Sequence, residues 1–230
     1  YCYLQGMYQS ANIVIFVNIE DFFRAVDREL SYLESMYLCI SYDTDLLALE
    51  GLIPYSREWI EFASARENLL IELRTKSANY NSIGDMEAHP NIILAWTLSP
   101  EEIIDRYEGH TPSLSARMDA VGQALDDGWK VRLSLEPIIK VKNWEQIYTE
   151  FIYKIGTTLP IDKIYDINIG VFRMSRDYFK KISKNRLDTD IFSYAVDIDN
   201  GVACYGEEEY IKEAVARELF KYYPSRKVYI

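Results

Sequence analysis

The chain has 230 residues, 49% hydrophobic and 14% aromatic, which is enough apolar side chain for one sizeable core. Its formal charge of −11 excludes a protein that grips nucleic acid by broad electrostatics, because phosphate contacts need Lys and Arg on the facing surface; DNA binding would require a local basic patch. Cys2, Cys39 and Cys204 are too few and too scattered for a disulfide framework, and with no signal peptide or long apolar run the expected setting is the cytoplasm, away from membranes.

The run from Ile13 to Val17 is rich in β-branched residues and predicts a buried strand. From Glu20 to Leu33, Phe22, Phe23, Val26, Leu30 and Leu33 recur at helical spacing, with acids in the first turn where the helix dipole favours them. The alternation continues with strand Tyr37 to Ser41, helix Arg57 to Glu67, and strands Leu69 to Arg74 and Ile92 to Leu98. Next come helices Glu101 to Tyr107 and Leu114 to Leu125, strand Lys130 to Leu135, helix Trp144 to Ile155 and strand Ile167 to Phe172. Gly128 should end its helix with a left-handed cap.

Strands alternating with helices predict right-handed crossovers and a parallel sheet. The expected fold is α/β, a partial (β/α)6 TIM-like barrel over residues 1–173. A C-terminal extension, residues 174–230, should pack on that core in a single domain. It holds a charged helix Arg176 to Lys184, a strand-like Ile191 to Val196, a hairpin marked by Asp199-Asn200-Gly201, a helix Glu207 to Tyr222 and a terminal strand Lys227 to Ile230.

The opening residues Tyr1-Cys2-Tyr3-Leu4-Gln5 resemble the end of the motif Cys-x-x-x-Cys-x-Tyr-Cys-Tyr-Leu-Gln of the spore photoproduct lyase family, within the radical S-adenosylmethionine superfamily. Further resemblances follow in order: Ile13 to Phe23, Thr75-Lys76, Trp96 to Ser99, Tyr107 to Leu114, Pro137-Ile138-Ile139 before Trp144-Glu145, Tyr223-Pro224 and Lys227-Val228-Tyr229. The resemblance implies a four-iron, four-sulfur (4Fe-4S) cluster with Cys2 as its third thiolate, and S-adenosylmethionine on the fourth iron. No methionine begins the chain, and the other two thiolates are expected in a segment upstream of Tyr1.

In barrels, chemistry gathers where the parallel strands end, so each strand end carries a candidate. By the family resemblance, Tyr1 and Tyr3 line the cofactor pocket and relay a hydrogen atom, and Lys76 meets the cofactor's carboxylate. Thr97 and Ser99 then reach its ribose or carboxylate, although Ser99 before Pro100 reads equally as a helix cap. The loop Ser41-Tyr42-Asp43-Thr44-Asp45 offers a hydroxyl, a phenol and two carboxylates; Ser41 is a further cofactor candidate. There the family places a hydrogen-donating cysteine, and this chain instead has Tyr42 or Asp43, with Cys39 three residues upstream of Tyr42. Cys39 reads as a structural cysteine unless its strand face turns it toward a substrate. Arg117 reads as structural, pairing with Glu108 or Asp119.

Arg173, Arg176, Lys180, Lys181, Lys184 and Arg186 form the one basic stretch, interleaved with Tyr178 and Phe179; it is either a solvated helix face or a phosphate-gripping surface with a stacking platform. The resemblance favours lesion DNA. It implies an enzyme that cleaves the cofactor to a 5′-deoxyadenosyl radical for hydrogen abstraction in thymine-dimer repair, with flavodoxin or ferredoxin as electron donor. The competing readings are the same cofactor chemistry on a non-DNA substrate, and a scaffold that binds DNA or a partner without catalysis.

Overall fold

A computed structural model describes residues 7, 14–41, 43–186, 189–194 and 196–230. The elements run α1 (Ile19–Leu30), β1 (Met36–Cys39), α2 (Leu46–Leu49), α3 (Tyr55–Ser64), β2 (Leu69–Thr75), β3 (Ile92–Thr97), α4 (Glu101–Tyr107), α5 (Leu114–Asp126), β4 (Lys130–Ile138), α6 (Trp144–Thr158) and β5 (Asp166–Val171). Then come β6 (Arg173–Ser175), α7 (Arg176–Asn185), β7 (Asp197–Asp199), β8 (Val202–Cys204), α8 (Glu208–Leu219) and β9 (Val228–Tyr229).

Six strands form one parallel sheet in the order β1-β2-β3-β4-β5-β9, curled into a half-barrel that is a partial TIM-like barrel. The local chemistry fits the elements. Asp45 caps α2 by accepting from the Ala48 N–H at 3.0 Å, Ser113 caps α5 through the Ala116 N–H, and Ser175 caps α7 through the Tyr178 N–H. Gly128 follows α5 at φ +87°.

Side chains alternate across a strand, and the register of this sheet brings like residues into rows. Ile71 and Leu73, Leu94 and Trp96, Leu133 and Leu135, and Ile167 and Ile169 all point to one face, buried in a core shared with helical residues such as Trp59, Ala63, Met118, Ile152 and Ile155. The opposite face carries Glu72 and Arg74, Ala95 and Thr97, Arg132, Ser134 and Glu136, and Asp166 and Asn168. Helices cover the outside of such a barrel, so the polar rows line its concave side.

Two expected strands are absent among the described residues. Val14 to Val17 have no regular structure and Val17 is 83% exposed, while Ile13 lies outside the described residues. A β-branched run becomes a strand when it meets a pleated surface to fill, and β1 pairs only with β2 among the described residues. The run is fixed instead by the Tyr55 hydroxyl donating to the Phe16 carbonyl at 2.5 Å and by the Phe16 ring edge-on to Phe22. The stretch Ile191 to Val196 begins as a 3-10 turn, Ile191–Ser193, because Ile191 is drawn into the core. Val196 is in no strand, and Ala195 lies outside the described residues.

The hairpin is present. β7 and β8 pair antiparallel around Asn200 and Gly201, at φ 47° and 82°, and with β6 they make a second, three-stranded sheet. The sixth strand of the main sheet is β9, not the run at 13–17, so the C-terminal segment returns to pair with β5.

Candidate functional site

Charged side chains on the concave face are joined across four strands. The Arg132 guanidinium donates to both Asp166 oxygens at 2.5 and 2.7 Å, to the Tyr37 hydroxyl at 2.7 Å, and to Glu72. Glu72 also accepts from Tyr37 and from Arg74 Nε at 2.9 Å. Arg74 Nη1 donates to Glu136 Oε2 at 3.2 Å, Asn168 Nδ2 donates to the same oxygen at 3.2 Å, and the Ser134 hydroxyl donates to Asn168 at 2.6 Å. Arg74, Ala95 and Arg132 are in register on β2, β3 and β4. The small side chain of Ala95 lets the β2 and β4 groups meet across β3.

Partners decide the ionisation of this layer. Burial pushes the Glu72 carboxyl up, but the Tyr37 hydrogen bond and the Arg74 and Arg132 guanidinium groups outweigh it and hold it below the usual range. Tyr37 is raised by burial and by Glu72, and stays a phenol at neutral pH. Cys39 lies on the same concave row, its Sγ 3.9 Å from Glu72 Oε1, and burial followed by the Glu72 charge raises its thiol. The strand face therefore turns Cys39 toward the open side.

The rim at the strand ends gathers Ser41, Lys76, Thr97 and Ser99. Ser41 Oγ bridges the Arg74 backbone, accepting from its N–H and donating to its carbonyl, both at 2.6 Å. Asp45 ties this loop to β2, accepting from the Thr75 hydroxyl at 2.7 Å and the Lys76 N–H at 2.8 Å. Lys76 Nζ and the Ser99 hydroxyl both donate to Glu108 Oε1, at 2.8 and 3.2 Å. Arg117 holds the other Glu108 oxygen at 2.6 Å and also donates to the Thr97 carbonyl; the Arg117 and Glu108 side chains are 0% and 1% exposed. The expected cap at Ser99 is absent: α4 has no side-chain cap, and the Ser99 hydroxyl turns to Glu108, a buried charge with a stronger claim on a donor. The Thr97 hydroxyl has no hydrogen-bond partner among the described residues.

Tyr1, Cys2, Tyr3 and Tyr42 lie outside the described residues, and Asp43 is exposed beyond β1. Among the described residues no three His, Cys, Asp or Glu side chains converge as metal ligands, and Cys39 and Cys204 belong to different sheets. The described residues alone do not fit a three-thiolate cluster. The basic stretch sits on the small sheet and α7: Arg173, Arg176, Lys180 and Lys184 are exposed, and Lys181 and Arg186 half-buried. Tyr178 and Phe179 are not an exposed stacking platform; both pack partly buried against the core, where α7 must bury its apolar side, and Phe179 meets Phe192 edge-on. No helix among the described residues is long and apolar enough to cross a membrane.

Sequence reasoning missed Glu72, Arg132, Asp166 and Asn168 as members of the concave layer. The signal was present: polar residues recur at every second position in Glu72-Leu73-Arg74, Arg132-Leu133-Ser134-Leu135-Glu136 and Asp166-Ile167-Asn168.

The chain is 23% identical over 233 residues to the spore photoproduct lyase of Geobacillus sp. (strain Y412MC61), covering 95% of this chain and 66% of that protein. It is 24% identical over 125 residues to the enzyme of Clostridium acetobutylicum, covering 54% of this chain and 37% of that relative. It therefore spans just under two thirds of the first relative's length and a smaller share of the second. Among solved structures, a spore photoproduct lyase variant with bound AdoMet and dinucleoside spore photoproduct superposes with a TM-score of 0.85 at 19% identity, over 100% of this chain and 71% of that one. A spore photoproduct lyase complexed with the dinucleoside alone gives 0.83 at 20% identity over the same shares. The family model for spore photoproduct lyase matches residues 1–226, nearly the whole half-barrel and its C-terminal segment, and the chain belongs to that family.

Proposed function

We propose that the chain is a radical S-adenosylmethionine enzyme acting on a thymine-derived lesion in DNA, with cofactor and substrate held against the open face of the half-barrel. The observation that carries this reading is the gathering of Ser41, Lys76, Thr97 and Ser99 on one rim, above a concave layer rich in hydrogen-bonding groups, in a chain of this family. That a relative of the same fold was solved with AdoMet and the dinucleoside lesion supports it.

The donor set fits the cofactor. Lys76 would meet its carboxylate as a compact cation, and the Thr97 hydroxyl would donate to an oxygen of the same molecule. When bound, S-adenosylmethionine supplies the hydrogen-abstracting radical. Cys39, protonated and facing the groove, is the described side chain best suited to return a hydrogen atom. Cys2 is the cluster ligand that the family motif implies. The exposed cations of β6 and α7 would meet DNA phosphates against the chain's negative charge. Flavodoxin or ferredoxin is the proposed electron source.

The test is anaerobic reconstitution of the full-length protein with iron and sulfide. Visible iron–sulfur absorbance, deoxyadenosine release on reduction, and thymine products from dinucleoside spore photoproduct are expected. Colourless protein releasing no deoxyadenosine overturns the reading; deoxyadenosine without thymine product moves the substrate to another class.

A further inference from the structure

The pairing of β4 with β5 shifts between Leu135 and Ile138, so that Leu135 faces Ile169 and Ile138 faces Val171. Glu136 enters this shift still on the concave face it shares with Arg132 and Ser134; its Oε2 receives both Arg74 Nη1 and Asn168 Nδ2, while its Oε1 has no donor among the described residues. The carboxylate lies flat on Gly170: a Cβ there would stand 2.7 Å from Glu136 Cγ and Cδ and 2.8 Å from Oε1. The Glu136 and Arg74 side chains are 27% and 24% exposed, and the Arg74 guanidinium keeps N–H groups beyond those given to Glu72 and Glu136.

A fixed acceptor therefore stands beside a fixed donor at the groove wall. The Arg74 charge is already balanced by Glu72 and Glu136, which disfavours an anion such as phosphate and favours a neutral ring. We propose that Glu136 and Arg74 read the edge of a planar nitrogen heterocycle, the carboxylate accepting from a ring or amino N–H and the guanidinium donating to the neighbouring acceptor. The inference rests on the proposed function for its ligands. Two sources offer this edge: the imide N–H and carbonyl of a thymine-derived base, and the amino group and ring nitrogen of the cofactor's adenine.

The experiment is anaerobic calorimetric titration of the reconstituted full-length protein with two probes, dinucleoside spore photoproduct and S-adenosylmethionine, each also as an analogue methylated at the edge nitrogen. In Glu136→Gln, Arg74 would hold the amide oxygen, turning the NH2 toward the ligand as a donor where an acceptor is needed. We expect at least a tenfold loss of affinity for one probe and none for the other, a comparable loss in Gly170→Ala, and methylation that weakens binding to the parent protein but not to Glu136→Gln. The weakened probe identifies the source. Parent binding with both variants unchanged overturns the inference alone. Binding of neither probe to the parent overturns the proposed function and this inference together.

Discussion

The two faces of the half-barrel are built from alternate residues of the same strands, yet they hold together by different physics. The convex rows of Ile71, Leu73, Leu94, Trp96 and Leu133 are stabilised by removal of apolar area from water, which is non-directional and tolerates exchange between side chains of similar volume. The concave rows are stabilised by geometry: a carboxylate such as Glu72, 2% exposed, is tolerable only because named donors surround it. Single losses should therefore be graded by volume on one face and by orphaned charge on the other.

Substitution of Arg132 by Met tests this most severely, since it strips buried Asp166 of its guanidinium and leaves Glu72 only Tyr37 and Arg74. The expected loss is about 3–5 kcal/mol of unfolding free energy by urea titration; a loss below about 1 kcal/mol would show that water already serves both acids. Leu133→Ala, one residue along and on the other face, should cost about 3 kcal/mol by cavity formation while leaving ligand affinity intact.

Acid comes next. Glu72 is held below the ordinary Glu pKa in the folded state, so its contribution is fully present above the unfolded value of about 4.3 and is lost as pH falls through its own lower pKa. Urea midpoints should be flat in this respect near neutrality and decline below about pH 4. Glu72→Gln should make that decline shallower; an unchanged slope would assign acid lability elsewhere. Thr97→Val should have the smallest effect on folding, under about 0.5 kcal/mol, since the hydroxyl has no protein partner to lose among the described residues. It should nonetheless weaken S-adenosylmethionine binding roughly tenfold in the same calorimetric titration, the worth of one hydrogen bond.

Much of this was legible in advance. β-branched and apolar content placed β2, β3, β4 and β5 to within a few residues, and Asn200-Gly201 announced its hairpin because both turn positions need positive φ. The run at 13–17 misled because composition reports fitness for a pleated surface, not whether a neighbouring strand exists. Ser99 misled because a cap competes with any stronger acceptor nearby, and Glu108 is close only after the chain folds. The concave layer was written in the alternation, but which arginine meets which acid depends on Ala95 being small enough to reach across, a relation between strands distant in sequence.

Val228 and Tyr229 pair with Ile167 and Asn168, and this matters during synthesis. Until the ribosome has released residues 228 and 229, the outer margin of β5 offers unpaired amides to any passing extended chain, a hazard for nascent proteins. A stop codon placed before Val228 would make that exposure permanent.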